Sequence, residues 1–129
     1  MRLLLDTHTF IWAVGAPAQL SPAAAEAITD RSHELLVSAA SAWEVGTKFR
    51  LGKLPGVEPI VQDFDGIAER LGARILPIEH THAMYAGTMG GEHRDPFDRM
   101  IAAQAILTAA TVVTRDSAFS TLLGVRTLW

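Results

Sequence analysis

Short apolar runs alternate with helix-patterned segments from one end of this chain to the other, and that alternation fixes the class of fold it can adopt. Residues 2–5 form an apolar run that ends at Asp6 and predicts a buried strand. A short helix carrying Phe10, Ile11 and Trp12 follows and stops near Gly15-Ala16-Pro17. Ser21-Pro22 begins a second helix, with serine as N-cap and proline at the first helical position. Leu35-Leu36-Val37 is a second strand, after which Ser38 caps a helix running to about Arg50 and broken by Leu51–Gly56. Pro59 opens one amphipathic helix through Ile60, Phe64, Ile67 and Leu71, ended by Gly72. Residues 74–78 predict a strand, 80–89 a helix closing at Gly90-Gly91, and Asp95-Pro96 the start of a long alanine-rich helix to about Ala110. Strand 111–114, a short helix over 117–123 and strand 125–128 complete the series. Strands that alternate with helices in this way predict an α/β fold with a mostly parallel sheet covered by helices on both faces.

Composition narrows the class further. The 129 residues are 49% hydrophobic and 19% charged, which suits one globular domain over 1–129, with no repeat or linker to divide it. Without cysteine, disulfides and thiolate metal sites are excluded. Asp6 falls too early for a signal-peptide apolar region, and no apolar run approaches the roughly 20 residues of a membrane span. The expectation is a soluble, cytoplasmic protein with no membrane partner. A net charge of −3 argues mildly against gripping nucleic acid by backbone charge alone. That objection is met if several acids share one cation site.

Four acids are spaced for such a site. Ligands of open α/β sheets lie beyond the carboxyl ends of the strands. Asp6 ends the first strand, Asp116 lies just past strand 111–114, and Glu44 and Asp98 lie near helix starts. All four are therefore expected to converge on one sheet edge. Singly, each has a bland alternative. Asp6, Asp95 and Asp116 suit helix caps, Asp98 suits a first turn, and Glu44 has an ion-pair partner one turn on in Lys48. Together they would repel unless cations were present, and Mg²⁺ and Mn²⁺ are the hard cations that carboxylates hold. His80-Thr81-His82 does not make a zinc pair, because i and i+2 face apart on a helix. His8 and His93, each close to an acid in sequence, are candidates for the same pocket. Aromatic and methionine residues at helical spacing are expected in the core, with Trp12 and Trp43 as the possible exceptions.

The ordered motifs carry a resemblance. Leu3-Leu4-Leu5-Asp6-Thr7-His8, Val37-Ser38-Ala39-Ala40-Ser41-Ala42-Trp43-Glu44-Val45, Asp95-Pro96-Phe97-Asp98-Arg99 and Val113-Thr114-Arg115-Asp116 together resemble PIN domains, and within them the VapC-type toxins of toxin–antitoxin systems. The resemblance implies a three-layer α/β/α sandwich and a Mg²⁺- or Mn²⁺-dependent endoribonuclease that leaves a 5′-phosphate and a 3′-hydroxyl. By position it implies Asp6, Glu44, Asp98 and Asp116 as metal-binding, catalytic acids. It marks Asp95 as an additional acid, Thr7, Ser38 and Thr114 as supporting hydroxyls, and Arg99 and Lys48 as phosphate contacts. It also implies an RNA substrate, a VapB-type antitoxin entering the acidic cleft, and a homodimer; the break at Leu51–Gly56 is a candidate antitoxin surface. One departure stands out: Ala118, before Phe119, takes the place of a further acid, which leaves that corner to Asp116 alone.

Three other readings compete. A phosphatase with an aspartyl nucleophile needs a second Asp two residues after Asp6, where His8 stands. A response-regulator receiver needs a late lysine, yet the last here is Lys53. The third is a catalytically degenerate PIN domain that binds RNA or protein.

Overall fold

The computed structural model describes residues 1–122 and 124–129. Five strands form one sheet: β1 (Arg2–Leu5), β2 (Glu34–Ser38), β3 (Ala73–Leu76), β4 (Thr111–Val113) and β5 (Thr127–Leu128). Their order is β3-β2-β1-β4-β5 and every pairing is parallel. The central strands are apolar on both faces, as a sheet covered on both sides requires. On β1, Leu3 and Leu5 enter one core and Leu4 the other; on β2, Leu35 and Val37 oppose Leu36; on β4, Val113 opposes Val112. This period-2 split makes three layers, the expected α/β/α sandwich.

Helices α1 (Thr7–Gly15), α2 (Pro22–Thr29), α3 (Ala39–Arg50), α4 (Glu58–Gln62) and α5 (Phe64–Leu71) supply residues to the first core, among them Phe10, Ala27, Val45, Ile60 and Ile67. The second core is closed by Ile101, Ala102 and Ala105 of α7 (Pro96–Leu107) and by Phe119, while α6 (His80–Thr88) packs against α7. Alanine on α7 allows the close approach to the sheet that larger side chains would prevent.

Four expectations are corrected. The helix expected over 59–71 is two, because Asp63 leaves the helical region at φ −149°, ψ 62° and accepts from Gly66 N–H to cap α5. Gly72 ends α5 as predicted, in the left-handed conformation at φ 85° that suits glycine. The long helix from Pro96 stops at Leu107, three residues early, since Thr108 turns the chain and Ala109 has φ 55°. The segment expected as a helix over 117–123 is a 3-10 turn at Ser117–Thr121, and residue 123 lies outside the described residues. The last strand is confined to Thr127–Leu128 within the expected 125–128.

Candidate active site: an acidic cavity at the carboxyl edge of the sheet

Parallel strands bring the segments that follow β1 and β4 to the same edge. The Asp6 amide donates to Val113 carbonyl at 3.1 Å, so the two strand ends are tied together. Asp6 is buried and both its oxygens are engaged. Oδ1 caps α1 by accepting from Thr9 N–H at 2.7 Å, and Oδ2 accepts from the Thr114 hydroxyl. The same Thr114 hydroxyl accepts from the Asp116 amide at 2.9 Å, so one threonine couples two acids. Asp116 itself is exposed and caps the 3-10 turn through Ala118 N–H.

Glu44 is 3% exposed, so the ion pair with Lys48 expected for it forms, but with the carboxylate buried and not on an open surface. Its Oε1 accepts from the Thr7 hydroxyl at 2.6 Å, Thr7 bonds Ser41 at 2.9 Å, and its Oε2 accepts from Lys48 Nζ. Burial lowers the Lys48 pKa, but the Glu44 carboxylate and the charges of Asp95 and Asp98 outweigh it, so Lys48 is held above its usual value and stays charged.

Asp95 caps α7 as its place before Pro96 predicts, accepting from Phe97 N–H at 2.9 Å and Asp98 N–H at 3.3 Å. Asp98, one turn in, meets His93 Nε2 at 2.7 Å through Oδ2. Burial, followed by the Asp95 and Glu44 carboxylates, pushes Asp98 up to about 7, with His93 acting in the opposite direction.

A cavity of about 570 Å³ joins these groups, with Asp6, Glu44, Asp95, Asp98 and Asp116 all on its wall. Two fixed cations, Lys48 and Arg115, face those five carboxylates. Burial first, and then the Asp95 and Glu44 charges, raise Asp98 in this setting, and an excess of acids over cations is what a bound cation would offset. The carboxylates on the cavity wall are donors that suit a hard divalent ion. Among the described residues, ligand-type atoms of His93, Asp98 and Asp116 lie within 4.8 Å of one another. Asp6 and Glu44 share the cavity but not that group, their oxygens being held by neighbouring hydroxyls, an amide and Lys48.

Two supporting residues are reassigned. The Ser38 hydroxyl is fully buried, donates to Gln104 Oε1 at 2.5 Å and accepts from Ala40 N–H, so it ties β2 to α7 and does not touch the acids. Ser41, which sequence reasoning missed, stands beside Thr7 in its place; it lies one helical turn before Glu44 on the same face. The Arg99 guanidinium is committed to three carbonyls, Ala86 and His93 at 3.0 Å each and Met89, and is therefore not a phosphate contact. It fixes the 89–93 loop that delivers His93. Gly91 in that loop, at φ 102°, leaves no room for a side chain: a Cβ there would lie 2.9 Å from the Thr121 carbonyl. Of the remaining histidines, His8 lines the cavity, whereas His82 is buried and accepts from Glu79 N–H in a helix cap. Trp43, one of the two aromatics expected as possible exceptions to core placement, is 61% exposed and packs edge-on to Phe97.

The sequence profile of the PIN domain matches residues 3–122. The chain belongs to the PIN domain family. This PIN domain is 36% identical over 63 residues to Ribonuclease VapC16 of Mycobacterium tuberculosis, a match covering 49% of this chain and 45% of that relative's length. The chain thus matches less than half of the curated relative. In three dimensions the PIN domain resembles VapBC2 from Rickettsia felis bound to a promoter DNA fragment, at TM-score 0.71 and 17% identity over 99% of this chain and 98% of that one. It also resembles DNA-bound VapBC from Salmonella typhimurium, at TM-score 0.72 and 22% identity over 99% and 97% of the two chains. FitAcB from Neisseria gonorrhoeae aligns at TM-score 0.61 and 25% identity over 98% and 96%. Among the described residues, no helix is long and apolar enough to cross a membrane.

Proposed function

We propose that this PIN domain is a divalent-metal-dependent endoribonuclease, the toxin of a VapBC-type pair, acting in the cytoplasm as one nuclease domain over 1–129. The observation that carries this reading is the single cavity lined by five carboxylates, one of them raised to about 7. Its membership of the family and its likeness to a protein named a ribonuclease support the choice of substrate.

In this reading Asp6, Asp98 and Glu44 hold Mg²⁺ or Mn²⁺, with Asp116 completing the site. When bound, such a cation makes water a stronger nucleophile and stabilises the leaving oxygen of a phosphodiester. The chain's own groups do the rest. Asp98 gives up its proton to solvent as positive charge enters. Thr7 and Thr114 keep Glu44 and Asp6 in fixed orientations, so little reorganisation is needed at the moment of reaction. Lys48 and Arg115 offset the charge of an approaching phosphate. In-line hydrolysis leaves a 5′-phosphate and a 3′-hydroxyl.

A small VapB-type antitoxin and a second copy of this chain are the proposed partners. The structures it resembles are VapBC assemblies, and the corner expected to meet an antitoxin bears exposed Phe49 (39%) and Leu51 (51%). The test is incubation of total RNA with the purified protein in Mn²⁺, Mg²⁺ or EDTA, with the ends mapped by sequencing. Cleavage in either metal and none in EDTA is expected. Intact RNA in all three would leave the degenerate, binding-only reading in its place.

A further inference from the structure

The acidic cavity has a second wall. His8 and Trp12, one turn apart on α1, stand on the same helix face with ring centroids 5.7 Å apart, and both line the cavity. Trp12 also packs against Trp129, at 6.0 Å between centroids. Arg115 and Ser117, from the segment after β4, line the same space. Trp12 is the one large apolar side chain among the described lining residues; the rest are acids, cations, hydroxyls and a histidine.

That combination selects its occupant. A peptide docking by its apolar face needs aliphatic pockets, which this wall does not provide. A nucleic-acid base needs a flat π-face with polar groups at its edge and a cation near its phosphate. The cavity lining supplies an indole, a histidine, hydroxyls and the Arg115 guanidinium together with the acids where a scissile phosphate would sit. We infer that Trp12, with His8 and Arg115, forms a nucleotide subsite in which an unpaired RNA base stacks on the indole while Arg115 contacts the adjoining phosphate. The inference rests on the ribonuclease reading and adds a residue that positions the substrate, Trp12, on the same cavity as the acids. A base inside a duplex has no free face to offer.

The test compares wild type with Trp12→Phe and Trp12→Leu. Phenylalanine keeps a π-face and leucine keeps apolar bulk, so packing against Trp129 is retained in part by each. Binding of a short, labelled, mixed-sequence oligoribonucleotide is followed by anisotropy in EDTA at low salt, where cleavage is stopped. Cleavage of the same oligonucleotide in Mn²⁺ and thermal unfolding are measured alongside. Trp12→Phe should bind within a few-fold of wild type. Trp12→Leu should bind about fivefold or more weakly, the lower bound of one base–aromatic stack, and should raise KM more than it lowers kcat. The same sequence annealed into a duplex should bind all three proteins alike. Equal single-strand affinity for wild type and Trp12→Leu would overturn the subsite and leave the wall to a protein segment, even with cleavage intact. A wild type that neither binds nor cuts the oligonucleotide would overturn the ribonuclease reading along with it.

Discussion

Asp98 is the residue at which the physics of the site is most concentrated. Its unfolded-state pKa is 3.8 and its folded one about 7, so between these values the folded chain holds a proton that the unfolded chain has lost. The stability this gives is whole at acid pH and disappears as pH rises through 7. In EDTA, Asp98→Asn, which cannot ionise, should therefore unfold at a temperature that rises relative to wild type from about pH 4 to about pH 7 and levels off above. Thermal melts across that range check the sign; a constant difference would contradict it. Binding of Mn²⁺ near pH 7 should also release a proton, visible as a buffer-dependent enthalpy in titration calorimetry. His93 meets the Asp98 carboxylate at 2.7 Å without itself lining the cavity. His93→Ala should weaken Mn²⁺ binding about tenfold, as loss of such outer partners commonly does, while His93→Gln, with an amide near the Nε2 position, should retain most of it. At this scale the sequence was legible for the acids, because strand ends and helix starts are visible in pattern. It was not legible for Ser38 or Arg99. A buried hydroxyl or guanidinium takes whichever partner the fold brings near, here Gln104 and the carbonyls of Ala86, Met89 and His93.

Elements set those partners. Arg99 lies one turn into α7 and reaches across to the end of α6 and the loop after it, so its work is to hold that loop against the helix. A lysine cannot present the same planar fork. Arg99→Lys should cost about 1–3 kcal/mol in urea unfolding and should weaken Mn²⁺ binding through His93, with single-stranded RNA affinity in EDTA little changed. Loss of RNA affinity as the main effect would restore Arg99 as a phosphate contact. The division of the helix expected over 59–71 belongs to this scale too. The apolar spacing of Ile60, Phe64, Ile67 and Leu71 continues through Asp63, and only the φ −149° of that residue reveals the break. Asp63 caps better than it propagates a helix, a preference that periodicity does not register. The 3-10 turn after Asp116 was read as a helix for the converse reason: a few residues of that pattern fit either.

At the scale of the molecule, the alternation of strands and helices dictated the parallel sheet, and the parallel sheet dictated the site. Every strand ends at the same edge, so residues 6 and 116, distant in sequence, are linked through Thr114. Helices α3 and α7 then bring Glu44, Asp95 and Asp98 to the same cavity. Trp43 is exposed, as one of the two exceptions the sequence allowed, and a helical apolar stripe alone does not say where the layer it faces ends. The net charge of −3, read at first against nucleic-acid binding, is consistent with a cavity in which acids outnumber cations. In the proposed function this cavity, charged by a divalent ion, cleaves RNA. Asp6→Asn tests it most directly, because asparagine is as good an N-cap as aspartate and the fold should persist. In Mn²⁺, with both proteins shown folded by circular dichroism, wild type should cleave RNA and Asp6→Asn should lose essentially all of that activity. A folded Asp6→Asn protein that cut RNA as fast as wild type would contradict the account.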